Sequence, residues 1–198
     1  MRRKLVLFDV FGVLIPESRI TDTILPKLFP ECPMAVIHKA YFSLEKHTID
    51  SAQFWEMLGG DEPVAVHEEE LFAYFQPDAQ AEQVLRYLEQ KYHIAILSNL
   101  PEPWIKHIQA LFGQHTTAML FSGQKTYKKP DTRIYMDILD MSGYHADETV
   151  FIDDRRRNLG PAADLGMKTI HLRKLEEPDI VYKPDVSINQ LNDLIRIL

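Results

Sequence analysis

Apolar residues follow two rhythms along this chain, and the change between them divides it. Residues 4–10 form a compact run of Val, Leu and Phe that ends at Gly12, the pattern of a strand buried on both faces. Residues 17–76 lose that pattern. Helical patches such as "AVIHKAYFSLEK" and "AQFWEMLGG" are separated by Pro- and Gly-containing breaks, and acids gather at "HEEEL". From residue 79 a regular alternation sets in. "AQAEQVLRYLEQKY", "EPWIKHIQALFG" and "DTRIYMDILDMSG" carry apolar positions at helical spacing, the last two closed by Gly113 and Gly143. Between and after them, "HIAILSN", "AMLFSG", "TVFIDD" and "MKTIHL" read as short buried strands, with "NLGPAADLG" a short helix. "DVSINQLNDLIRIL" adds a brief strand and a final helix. Strands alternating with helices predict an α/β fold, a doubly wound parallel sheet covered on both faces. The expected core is residues 1–15 and 79–198, with a small helical insert, residues 16–78, after the first strand.

Composition narrows the function without naming it. At 198 residues the chain is long enough for a full core and a small second module. Its 45% apolar and 26% charged content is that of an ordinary globular protein. A net charge of −7 argues against nucleic acid or an anionic membrane as partner. The single cysteine, Cys32, excludes an intramolecular disulfide and fits a reducing, cytoplasmic setting. "MRRK" before "LVLF" imitates a leader, but Asp9 interrupts the apolar run and no small-residue cleavage site follows. No apolar stretch reaches the ~18 residues of a membrane span.

Three predicted strands end in polar residues that their apolar bodies do not explain: Asp9, then Ser98 with Asn99, then Asp153 with Asp154. Lys129 precedes Pro130 at the start of another helix. In open parallel sheets, ligands sit beyond the carboxyl ends of the strands, so these distant residues can converge. Three carboxylates make a hard oxygen site suited to Mg²⁺. A metal and Lys129 together offset the charge of a phosphoryl group, and Ser98 with backbone amides can bind its oxygens. One carboxylate in line with phosphorus could attack it and form an acyl phosphate. Singly, each feature is ordinary. Asp at a strand end is commonly a turn-former or cap, and Ser-Asn a plain turn. The order and spacing of all four together point to chemistry.

The blocks "LFDVFGVL", "ILSNL", "GQKTYKKPDTRIY" and "VFIDDRRRNLGPAADLGMKTI" resemble, in order, the four motifs of the haloacid dehalogenase-like (HAD) hydrolase superfamily. The resemblance runs from residue 5 to residue 170 and implies a Rossmann-like core, with the insert as a C1-type cap over the substrate. It makes Asp9 the nucleophile and a metal ligand. Phe11 would offer the metal its backbone carbonyl and, with Gly12, would belong to the substrate-binding loop. Ser98 and Asn99 would bind the phosphoryl group, and Lys129 would neutralise nucleophile and phosphate. Asp154 would hold Mg²⁺, with Asp153 a further ligand or a partner behind it.

Phe11 is the serious departure. Most phosphatases of this superfamily carry there the Asp that protonates the leaving group, a service worth ~10²–10⁴-fold. An aromatic at this position is dehalogenase-like. Those enzymes use no metal, however, and paired acids beside Asp9 would repel one another without a cation. The pattern looks closest to sugar-1-phosphate-type phosphatases that lack the second acid. The leading expectation is a Mg²⁺-dependent phosphatase acting on a small phosphorylated metabolite. A phosphate-binding protein with little turnover and a 2-haloacid dehalogenase are the alternatives. His38 and His47 in the insert are candidate substitute acids, against the safer reading of surface histidines. "RRR" at 155–157 reads as a solvated turn opening a helix. Phe54 and Trp55 read as helix packing. Trp104 could line the entrance or cover the sheet edge.

Overall fold

The computed structural model describes residues 4–17, 19–173 and 182–198. Met1–Arg3, the start of the basic stretch weighed above as a leader, lie outside the described residues. Six strands form one sheet: β1 (Leu5–Phe8), β2 (His93–Ser98), β3 (Ala118–Phe121), β4 (Thr149–Asp153), β5 (Lys168–Leu172) and β6 (Val186–Ile188). Every pairing is parallel, in the order β3-β2-β1-β4-β5-β6. β1 is central, with Leu7 opposite both Ala95 and Phe151. Its four residues are all apolar and all buried, as a strand covered on both faces requires. Because strand order reverses between β1 and β4, a crevice opens at the carboxyl ends of these strands.

Alternate residues feed two cores. Val6 and Phe8 join Ile94, Ile96, Val150 and Ile152 on one face; Leu5 and Leu7 join Ala95, Leu97 and Phe151 on the other. Between β1 and β2 the chain forms α1 (Leu25–Leu28), α2 (Met34–Glu45), α3 (Ser51–Met57), α4 (Val64–Phe72) and α5 (Ala81–Leu88). The later helices are α6 (Ile105–Phe112), α7 (Thr132–Ser142), α8 (Arg156–Asp164) and α9 (Leu194–Ile197). Residues of α5, α6 and α9 pack on the first face, and those of α7 and α8 on the second.

Local signals explain several boundaries. Asp50 caps α3 reciprocally with Gln53, and Asp131 caps α7 through the Arg133 amide. Gly143 ends α7 with a φ of 70°, the left-handed stop its sequence predicts. Gly113 differs. Its φ of −59° is helical, and the chain runs on into a tight turn over Gly113–His115.

The helices after β1 do not have a core to themselves. Ile37, Leu44, Phe54, Trp55 and Leu71 belong to the same apolar cluster as Phe8 and Ile96 of the sheet. Phe54 and Trp55 are buried, as expected of packing residues. Trp104 is fully buried too, tilted against Tyr41 and edge-on to Phe54, so it lines no entrance. Among the described residues, no helix is long and apolar enough to cross a membrane.

Candidate active site

Asp9 stands one residue past β1, its amide bonded to the Ile152 carbonyl of β4 at 2.9 Å. Three donors converge on its Oδ1: the Val10 amide at 2.7 Å, Ser98 Oγ at 2.9 Å and Lys129 Nζ at 2.9 Å. No described residue donates to Oδ2. Gly12 turns the chain back with a φ of 84°, and its amide bonds the Ile15 carbonyl at 2.7 Å. A side chain would strain that left-handed turn.

Lys129 is buried and lies between two carboxylates, donating to Asp153 Oδ2 at 2.8 Å as well as to Asp9. Burial alone would lower its pKa. The charges of Asp153 and Asp9 outweigh that effect and hold it above the ordinary lysine value. Asn99 fixes the backbone behind it: Nδ2 donates to the Lys129 carbonyl at 2.9 Å, and Oδ1 accepts from the Lys129 amide at 3.0 Å. The Asn99 side chain thus positions the lysine.

The paired acids at the end of β4 are not equivalent. Asp153 Oδ1 accepts from the Arg155 amide at 2.8 Å, and both its oxygens accept from Asn158 Nδ2 at 3.0 and 2.9 Å. Asp154 is as deeply buried, yet neither of its carboxylate oxygens has a hydrogen-bond partner among the described residues. Burial raises the pKa of both. Lys129 partly counters this at Asp153, whereas at Asp154 the charges of Asp153 and Asp9 add to it. A bare buried carboxylate is costly. Asp9, Asp153 and Asp154 offer oxygens within 4.8 Å of one another, a donor set that fits a hard divalent cation.

Above Asp9 lies a cavity of about 310 Å³. Asp9, Phe11, Ser98, Asn99 and Lys129 line it; Gly12, Asp153 and Asp154 are not among its described lining residues. Phe11 is 6% exposed and meets Phe75 edge-on, with ring centres 4.8 Å apart. The cavity wall also includes residues the sequence did not single out: Arg19, Thr21, Tyr41 and Glu45. Lys128, Arg155 and Arg157 complete the rim. "RRR" does open α8, but two of its three residues face the cavity, so it is more than a solvated turn. His38 and His47 play no part in this wall. His38 bonds Asp22 at 2.8 Å and His47 approaches Glu102 at 3.7 Å. Tyr41 and Glu45 lie on α2, and Arg19 and Thr21 on the segment before α1; the packing of these pieces, rather than any local spacing, carries them here.

With this geometry, the comparisons with known proteins converge. The model of the haloacid dehalogenase-like hydrolase family matches residues 3–166. The sesquiterpene phosphatase astK of Aspergillus oryzae is 26% identical over 182 residues, 85% of this chain and 89% of that protein. The L-2-haloacid dehalogenase of Xanthobacter autotrophicus superposes with a TM-score of 0.71 at 17% identity, over 99% of this chain and 98% of that one. A HAD family enzyme of Bacteroides thetaiotaomicron, solved with magnesium and inorganic phosphate, gives 0.68 at 20% identity, over 92% and 100% of the two chains. The structural likenesses establish the fold, and the family match establishes descent and hydrolase character: the chain belongs to the haloacid dehalogenase-like hydrolases.

Proposed function

We propose that this protein is a Mg²⁺-dependent phosphatase of small phosphorylated metabolites, with Asp9 as nucleophile and residues 16–78 as its cap. The observation that carries the reading is Asp154, a buried carboxylate beside Asp9 and Asp153 with neither oxygen paired among the described residues. A haloacid dehalogenation needs no such group, whereas a cation-assisted phosphoryl transfer does. The magnesium and phosphate in the Bacteroides relative, and the phosphatase activity named for astK, favour the same choice.

Asp9, Asp154 and the Phe11 carbonyl would hold the ion. When bound, Mg²⁺ would neutralise the carboxylates and draw charge from the phosphoryl oxygens. Asp153 would serve mainly behind them, since Lys129, Asn158 and the Arg155 amide already claim its oxygens. Asp9 Oδ2, which no described donor claims, would attack phosphorus, and Oδ1, steadied by Ser98 and Lys129, would be the oxygen left for the ion. Lys129 and Ser98 would then stabilise the transferring group, and water would release phosphate from Asp9. Phe11 has no proton to exchange, so leaving groups of low pKa would react best.

The test is phosphate release from 4-nitrophenyl phosphate and a sugar-phosphate panel, with Mg²⁺ or with EDTA. Turnover should appear with Mg²⁺, vanish with EDTA and vanish in Asp9→Asn. Activity that survives Asp9→Asn would refute the covalent route. Phe11 favours one competing reading, a 2-haloacid dehalogenase, which would instead give EDTA-resistant halide release.

A further inference from the structure

Phe11 leaves the leaving group without its usual acid, and among the described polar side chains that the insert sends to the cavity one hydroxyl has no partner. We propose that Tyr41 donates a hydrogen bond to the departing oxygen, doing from the helical insert what position 11 no longer does; this rests on the phosphatase reading above.

Four polar side chains of the insert line the cavity, and three are engaged. Thr21 Oγ1 donates to Asp22 at 3.3 Å, and Arg19 approaches the same carboxylate at 3.6 Å. Glu45 accepts from Lys128 and from Ser122 Oγ. The Tyr41 hydroxyl has no hydrogen-bond partner among the described residues. Its ring is held from behind by Trp104, with centres 5.8 Å apart, and Trp104 meets Phe75 at 6.3 Å. Phe75 in turn is the edge-on neighbour of Phe11 at 4.8 Å. The aromatic residue that replaces the acid therefore belongs to the same packed set of rings as Tyr41, and both line the cavity.

The phenol suits donation rather than proton exchange. Burial, with Glu45 and Asp9 adding negative charge, holds its pKa far above the ordinary tyrosine value, so it keeps its proton at neutral pH. As the Asp9–phosphorus bond forms and the phosphorus–oxygen bond to the alcohol breaks, the departing oxygen takes the electron pair. Tyr41 would stabilise that developing charge and retain its own proton, and solvent would protonate the alkoxide.

The experiment compares wild type and Tyr41→Phe on aryl phosphates of rising leaving-group pKa, with glycerol 3-phosphate at the far end. Tyr41→Phe should lose about 10–100-fold in kcat on glycerol 3-phosphate but less than about 3-fold on 4-nitrophenyl phosphate. The dependence of rate on leaving-group pKa should steepen, with Tm unchanged because the ring remains. Adding Phe11→Asp to Tyr41→Phe should flatten that dependence again. An equal loss across the series, with wild type active, overturns the role of Tyr41 and leaves the phosphatase reading standing. No phosphate release by wild type from any member overturns both.

Discussion

At the floor of the cavity, donors claim both oxygens of Asp153 and converge on Oδ1 of Asp9. Under the roof, the indole nitrogens of Trp55 and Trp104 and both ring nitrogens of His67 are buried without a hydrogen-bond partner among the described residues. The floor stands on strand ends of a rigid parallel sheet and is positioned by short directional bonds. The roof is held by stacked and edge-on rings: Trp55 on His67 at 5.2 Å, Phe54 on Trp55 at 4.7 Å. Apolar packing of this kind is non-directional and tolerates repacking. Accuracy thus resides in the floor and adaptability in the roof, with Asp154 the floor carboxylate that has neither oxygen paired among the described residues.

Removing the floor's central cation should break the contrast most severely. Lys129→Met leaves Asp9 and Asp153 facing each other, buried and without their shared counter-charge. Loss of one member of such a cluster costs about 3–5 kcal/mol. Urea unfolding should show a loss of that order, partly recovered by Mg²⁺, and phosphate release should disappear. An unchanged unfolding midpoint would mean that Lys129 does not organise the floor.

Asp154→Asn should act in the opposite direction on metal-free stability. Its carboxyl is held above the ordinary value of 3.8, first by burial and then by the charges of Asp153 and Asp9. The folded chain therefore binds this proton more tightly than the unfolded chain does. Stability should fall as pH rises past the ordinary carboxylate range, because folding then carries a bare charge into the interior. Asn removes that charge. The variant should melt higher than wild type in EDTA at neutral pH, with a flatter dependence on pH, and should lose the Mg²⁺-dependent rise in Tm. A variant that melts lower in EDTA would show that Asp154 is already satisfied.

The contrast also explains what could be read in advance. The strand ends were legible because a parallel sheet needs apolar bodies, so Asp9, Ser98, Asp153 and Asp154 stood out against them. The parallel, doubly wound sheet followed from the alternation of strands and helices, and Lys129 from its place before α7. Two things were not legible. The division of labour between Asp153 and Asp154 depends on Asn158, five residues on, whose amide reaches back to Asp153 and not to Asp154. The cavity-facing set of Tyr41, Glu45 and Arg19 depends on how the helices after β1 settle on Trp104 and the sheet. Helical spacing puts Tyr41 and Glu45 on one face but cannot say what that face meets.

A smaller effect should come from Phe11→Asp, which carries floor chemistry into a position now packed like the roof. Phe11 is nearly buried against Phe75, so the variant should melt lower than wild type. Where it folds, turnover of glycerol 3-phosphate should rise by about 10-fold relative to 4-nitrophenyl phosphate. An equal change for both would mean that protonation of the leaving group is not what Phe11 limits.

The smallest effect falls where roof and floor meet. Glu45, the last residue of α2, is buried and accepts from Lys128, while Ser122 Oγ donates to it at 3.4 Å and accepts from the Leu100 amide at 3.0 Å. Glu45→Gln keeps the shape and an acceptor for Lys128, turns an amide N–H toward Ser122 Oγ in place of the second oxygen, and removes a negative charge from the cavity wall. If the link works through hydrogen bonds, the roof stays seated and the cavity becomes more attractive to a phosphate dianion. KM for 4-nitrophenyl phosphate should then fall by about 2–3-fold with kcat unchanged, an effect that added salt erases. If the charge pair with Lys128 is what seats α2, KM should rise instead and Tm should drop. The sign of the KM change therefore decides whether electrostatics reaches from the floor into the roof or stops at Lys128.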